Sequence, residues 1–137
     1  MNRYKFDDLS IGMSAKFKRK LDEKTIDCFA HISGDFNPLH TDADYARRLG
    51  FKNQVAHGML CSSLFSSLVG EHLPGENCLL TDISAVFLKP VFVNDEVTVE
   101  GSIIQLSHAF RSAKIAGTII NQNSDLCVRA TIGLVVR

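Results

Sequence analysis

The sequence predicts an α+β protein in which an antiparallel sheet wraps around one buried helix. Three observations carry that prediction. Residues 59–72 have helical spacing, with Met59, Leu60, Cys61, Leu64, Phe65, Leu68 and Val69 covering most of the circumference and Ser62, Ser63, Ser66, Ser67 and Gly70 filling the gaps. A helix that is apolar or small on every side is a buried helix, not a surface one. From residue 79 onward the period changes to two, in stretches rich in Val, Ile and Thr. These stretches follow one another across turn signals, so consecutive hairpins are expected to build one sheet, and the helix needs that sheet to cover it.

In chain order, Ser14–Leu21 alternates Ala15, Phe17, Arg19 and Leu21 against Lys16, Lys18 and Lys20, and reads as a first strand with one polar face. Asp22 and Thr25 offer N-cap choices for a helix carried by Ile26, Phe29, Ala30 and Ile32 and ended by Gly34. The stretch Asp35–His40 is expected to be irregular, because Pro38 lacks an N–H and pushes Asn37 toward extended geometry. A short helix over Asp42–Leu49 ends at Gly50, a C-cap signal. Pro74-Gly75 closes the central helix. Strands are then expected over Leu79–Lys89, Glu96–Leu106, Phe110–Asn121 and Leu126–Val136, separated by Pro90, Asn94-Asp95 and the turn residues 121–125.

Length and composition exclude several classes. The 137 residues fit one domain, read here as 1–137, with no linker, repeat or low-complexity stretch. Fifteen basic residues balance fifteen acidic ones, so no net field draws the chain onto nucleic acid or an acidic membrane. No apolar run approaches the ~18 residues that span a bilayer, and MNRYKFDDLSIGM has no apolar signal-peptide core. Cys28, Cys61, Cys78 and Cys127 form no C-x-x-C pair and read as free thiols of a reducing compartment, which places the protein in the cytoplasm, with an organelle matrix left open.

The reactive groups concentrate in Phe29-Ala-His-Ile-Ser-Gly-Asp-Phe-Asn-Pro-Leu-His40, where Asp35, Asn37 and His40 fall within six residues. An Asp and a His that share one water can orient it and move its protons as general base and general acid, and an imidazole titrates near neutral pH. The blander reading is that Asp35 and Asn37 cap an Asn-Pro turn. A second cluster is His57-Gly58 at the start of the buried helix. Gly58 lets a ligand approach the backbone, and the unpaired N–H groups and dipole of a helix N-terminus suit a developing oxyanion. The alternative is that Gly58 relieves a tight turn and His57 is a cap. A metal held by Asp35, His40 and His57 is open on ligand type, but no spacing fixes a geometry; no metal and no cofactor are expected. His31, His72 and His108 read as ordinary surface or helix residues. Lys52 and Lys89 could meet phosphate as point charges, although a solvated face is the simpler reading.

The segment Phe29–Ala46 resembles the signature of the MaoC-like, or hydratase-2, family: an aromatic, an aliphatic and a small residue, then G-D-x-N-P-aliphatic-H, then five residues and Ala or Ser. Phe29, Ile32, Ser33, Gly34, Asp35, Asn37, Pro38, Leu39, His40 and Ala46 supply it without departure. The likeness continues through residues 55–60, 64–66 and 87–97, so it spans most of the chain, and it is nearest to short (R)-specific enoyl-CoA hydratases. The resemblance implies a hot-dog fold, a homodimer, and reversible hydration of trans-2-enoyl-CoA to (R)-3-hydroxyacyl-CoA. It implies Asp35 and His40 as the catalytic pair, the Gly58 N–H as donor to the thioester carbonyl, and Ser66 as a serine near the active site. Asn37 and His57 fall in the same motifs and are grouped with Gly58 and Ser66 as substrate-binding or oxyanion residues.

Competing functions share the acyl thioester. Dehydration of 3-hydroxyacyl groups on acyl carrier protein is the same chemistry on another handle, with a common phosphopantetheine arm. Many hot-dog thioesterases place a carboxylate on the central helix, and none stands between Gly58 and Glu71 here. A non-catalytic acyl-thioester-binding module has no need of both Asp35 and His40.

Overall fold

The computed structural model describes all residues, 1–137. Its sheet has five antiparallel strands in the order β1-β3-β4-β5-β2, formed by Ser14–Lys20 (β1), Cys78–Phe87 (β2), Glu96–Ser107 (β3), Ser112–Ile120 (β4) and Leu126–Val136 (β5). The helices are Glu23–Ser33 (α1), Pro38–Thr41 (α2), Ala43–Arg48 (α3) and Gly58–Ser67 (α4). This is the sheet around a central helix that the sequence predicts. The core draws on both: Phe65, Leu68 and Val69 from the helical side meet Val97, Val99, Ile103, Ile115, Ile119, Ile132 and Leu134 from the sheet. Each such side chain contributes roughly 1.5–3 kcal/mol by leaving water.

The close approach of helix to sheet depends on two paired glycines. Gly101 and Gly117 face each other across β3 and β4. A Cβ on Gly101 would stand 2.5 Å from Leu68 Cδ2, and one on Gly117 would stand 2.7 Å from Phe65 Cε1. The missing side chains form the groove that seats the helix, so Gly117→Val would push Phe65 out of the core.

Local signals set the ends of the early helices. Asp22 caps α1 by accepting from Thr25 N at 2.9 Å, and Gly34 ends it with φ 75. Asp42 caps α3 by accepting from the N–H groups of Asp44 and Tyr45 at 2.8 and 3.0 Å.

Three expectations need correction. Residues 38–41 are not irregular but a single helical turn: Pro38 occupies the first helical position, where its missing N–H costs nothing, and the Asn37 side chain caps it by accepting from Leu39 N. The central helix is α-helical only to Ser67, and Leu68–His72 continue as a wider π turn closed by Leu73 N donating to Leu68 O. Pro74 has no N–H to extend the ordinary ladder. Third, β2 and β3 form no hairpin. β2 crosses to pair with β5 at the far edge, because residues 88–95 are committed elsewhere. Ala56 N donates to Val91 O and Val93 N to Gln54 O, while the buried Asp95 carboxylate accepts from Phe92 N and Gln122 Nε2.

Candidate active site

The loop after α1 is held by its own short side chains. Asp35 N donates to Ser33 Oγ, and Asn37 N donates to Asp35 Oδ1, both at 3.2 Å. With Asn37 capping α2, this winds the chain so that Asp35 and His40 lie on one side. His40 Nε2 stands 3.9 Å from Asp35 Oδ2. That is too long for a direct hydrogen bond and suits one water bonded to both groups.

Each imidazole has an assigned tautomer, because a carbonyl can only accept. His40 Nδ1–H donates to Val55 O at 2.6 Å, which leaves the lone pair on Nε2, facing Asp35. His57 Nε2–H donates to the main-chain carbonyl of Asp35 at 2.9 Å. The two rings stack with centroids 3.9 Å apart and planes 28° apart, and Phe29 bounds His57 at 5.1 Å. His57 is 2% exposed, and its Nδ1 has no hydrogen-bond partner. A buried acceptor left in that state costs about 1–3 kcal/mol.

A cleft of about 280 Å³ opens beside His40, lined by His40, Gly58, Cys61, Phe87, Val91 and Val128 among others. Gly58 is the first residue of α4, and its N-cap His57 makes no side-chain capping bond, so the helix N-terminus faces this cleft with uncapped N–H groups. A Cβ on Gly58 would stand 3.1 Å from Phe87 Cε1. Burial pushes the Cys61 thiol up to about 12, which makes it a packing group rather than a nucleophile.

Asp35, Asn37, His40, His57 and Gly58 are therefore brought together. Ser66 is not. It lies eight residues beyond Gly58, roughly 12 Å along the helix axis, on an apolar hollow with Phe29, Met59, Leu80 and Ile83. Lys52 stands over the Phe92 ring at 4.4 Å and near Asp95 at 3.8 Å. Lys89, at the cleft, is paired with Asp125, which raises its pKa. Asp35, His40 and His57 offer ligand atoms within 4.8 Å of one another. One nitrogen of each imidazole is already committed to a main-chain carbonyl, Val55 O for His40 and Asp35 O for His57. Two contributors were missed by sequence reasoning: the Val55 carbonyl that fixes the His40 tautomer and the Phe87 ring over Gly58. Val55 was visible only as the head of Val55-Ala56-His57-Gly58, and a main-chain carbonyl leaves no residue-type signal.

These features mark a hot-dog domain with an Asp–His pair beside a helix N-terminus, and the chain belongs to the MaoC like domain family, whose model matches residues 8–123. It is 38% identical over 120 residues to an (R)-specific enoyl-CoA hydratase of Aeromonas caviae, covering 88% of this chain and 90% of that one. The solved structure of the (R)-hydratase from A. caviae involved in PHA biosynthesis superposes with a TM-score of 0.91 at 35% identity, over 94% of this chain and 98% of that chain. A mitochondrial 3-hydroxyacyl-[acyl-carrier-protein] dehydratase of Arabidopsis thaliana is 37% identical over 89 residues, 65% of this chain and 52% of its own length.

Proposed function

We propose that the chain is an (R)-specific enoyl-CoA hydratase, a hydro-lyase that reversibly adds water to trans-2-enoyl-CoA to give (R)-3-hydroxyacyl-CoA. The observation that carries the reading is the 3.9 Å gap between Asp35 Oδ2 and a His40 Nε2 whose lone pair is fixed by the Nδ1–H···O=C bond to Val55. A water bonded to both groups loses a proton to His40 as its oxygen bonds to C3. The C2=C3 electrons move toward the thioester, whose oxygen gains negative charge. The proton then passes from His40 to C2, so H and OH are added across the double bond and both residues return to their starting state. The Gly58 N–H and the helix dipole, equivalent to about half a positive charge, stabilise the oxygen. Lys89 is occupied by Asp125. The apolar cleft suits the acyl and pantetheine portions of such a substrate.

The working unit in this reading is a homodimer of one-domain chains, 1–137. β2 is an edge strand with Leu79, Leu80, Ile83, Val86 and Phe87 exposed. An apolar unpaired edge is a liability unless covered, and a second copy paired along β2 would also cover the hollow that holds Ser66. No helix is long and apolar enough to cross a membrane, and the unpaired cysteines support a reducing, cytoplasmic setting.

The likeness to the A. thaliana dehydratase favours one second reading, the same chemistry on acyl carrier protein. The deciding experiment supplies crotonyl-CoA, longer trans-2-enoyl-CoAs and the matching acyl-carrier-protein thioesters, and follows loss of the enoyl thioester absorbance. Preference for the CoA thioesters supports the hydratase. Turnover of the carrier-protein forms alone moves the enzyme to the second reading, and turnover of neither refutes both.

A further inference from the structure

We infer that His57 is a positioning residue that holds the Asp35/His40 pair at a fixed distance from the Gly58 N–H; this rests on the hydratase reading above. The reaction needs a water at C3 and a donor at the thioester oxygen of the same substrate. The first is held by the loop and short helix over residues 35–41, the second by α4, and their separation must be fixed to well under an ångström.

His57 joins them directly. It is the N-cap of α4, immediately before Gly58, yet its side chain makes no bond to its own helix. Its Nε2–H instead reaches back to the Asp35 carbonyl at 2.9 Å, and its ring lies flat against His40 at 3.9 Å. His57 does not line the cleft, so it acts through Asp35 and His40 rather than on the substrate. The residue type fits that task. Phe would give the flat face without the donor, and Gln the donor without the face. The imidazole has both, and the unpartnered Nδ1 is the cost of using it here.

The test uses the full chain with His57→Gln, which keeps an N–H donor and loses the ring, and His57→Phe, which keeps the ring and loses the donor. Each is made alone and with His40→Ala, and kcat, KM and melting temperature are measured. Alone, each lowers kcat by up to roughly 10²-fold, the order of loss that a ~1 Å misplacement brings, with little change in KM. In the His40→Ala background the same substitutions change kcat by less than about threefold, because groups that act as a unit are non-additive, whereas their effects on melting temperature carry over unchanged. Equal losses in both backgrounds, or losses in KM alone, mean that His57 is merely structural and overturn the inference. Histidine side-chain ¹⁵N spectra read the positioning without turnover: the Nδ1–H tautomer of His40 dominates in the wild type and gives way to a mixture in both variants. Unchanged His40 signals overturn the inference whatever the activity, while an inactive wild type with shifted signals counts against the hydratase reading and not against the positioning.

Discussion

Replacing Gly58 by proline and by alanine separates the backbone donor from everything else at the start of α4. Proline deletes the N–H, and the first helical position is where a helix tolerates that best. His57 already has ψ 134, the extended geometry that a following proline demands. Both substitutions add a Cβ at the same place, 3.1 Å from Phe87 Cε1, so alanine controls for the Cβ, while the proline ring adds Cγ and Cδ beyond it. Phe87 is half exposed at the end of β2 and can yield by a few tenths of an ångström. Crowding of this kind costs about 1–2 kcal/mol, or roughly tenfold in rate. Gly→Ala in a helix returns up to ~1 kcal/mol of stability, so both variants should melt within a few degrees of the wild type. Loss of one oxyanion donor costs ~10²–10³ in kcat, about 2.7–4 kcal/mol of transition-state stabilisation. Proline should therefore fall at least roughly tenfold below alanine when enoyl-CoA hydration is followed by absorbance. Folded proline and alanine variants of equal kcat would refute the role of the Gly58 N–H and place the oxyanion elsewhere.

Three further outcomes are expected. Asp35→Asn and His40→Ala should each lower kcat by ~10²–10⁴-fold with far-ultraviolet circular dichroism unchanged, and the double variant should be little slower than either single one; near-normal turnover by Asp35→Asn contradicts the pairing. Light scattering at micromolar concentration should give twice the chain mass, and a charge placed at Ile83 or Leu80 on the exposed β2 edge should shift it toward the monomer; a monomeric wild type removes the dimer. Asp42→Ala should lower the melting temperature. The N–H groups of Tyr45 and Asp44 hold the Asp42 carboxyl below its ordinary value of 3.8, so its contribution is complete above that pH and is lost as pH falls through the lower native value. The gap between wild type and variant should then close in acid, and a gap that is constant with pH assigns the effect to something other than the carboxylate.

How much of this was legible in the sequence follows from the range of the interactions involved. Asp22, Gly34 and Asp42 act within one helical turn, so the ends of α1 and α3 could be read from single residues. Asp35, Asn37 and His40 lie within six residues, and the turn that gathers them is built by their own side chains. Even there, Pro38 was read as a breaker when it is an initiator, because its effect depends on whether it falls inside a helix or at its first position. Period-two patterning identifies a strand but not its neighbour, so the pairing of β2 with β5 was hidden. The Val55 carbonyl stands 15 residues from His40. Neither it nor the Phe87 ring over Gly58 leaves a trace in local pattern.

The same difference in range bears on how the site is built. Asp35 and Asn37 are set by short-range bonds, whereas His40 also takes its orientation from the Val55 carbonyl. The Gly58 N–H, the proposed oxyanion donor, belongs to a helix seated by Gly101 and Gly117 in the sheet. Neither unit fixes the other. Between them run the Leu39–Val55 backbone bond at 3.1 Å, the His40–Val55 bond, and the His57 ring. All three end on residues 55–57, just ahead of Gly58. In the proposed hydratase, the segment Val55-Ala56-His57 is thus the hinge on which acid–base chemistry and oxyanion stabilisation are brought into register. Ala56 N bonded to Val91 O anchors that hinge to the β2–β3 connection. It follows that replacing Asp95, which is buried, accepts from Phe92 and Gln122 and lies outside the cleft lining, should loosen residues 88–95 and lower kcat in the enoyl-CoA absorbance assay.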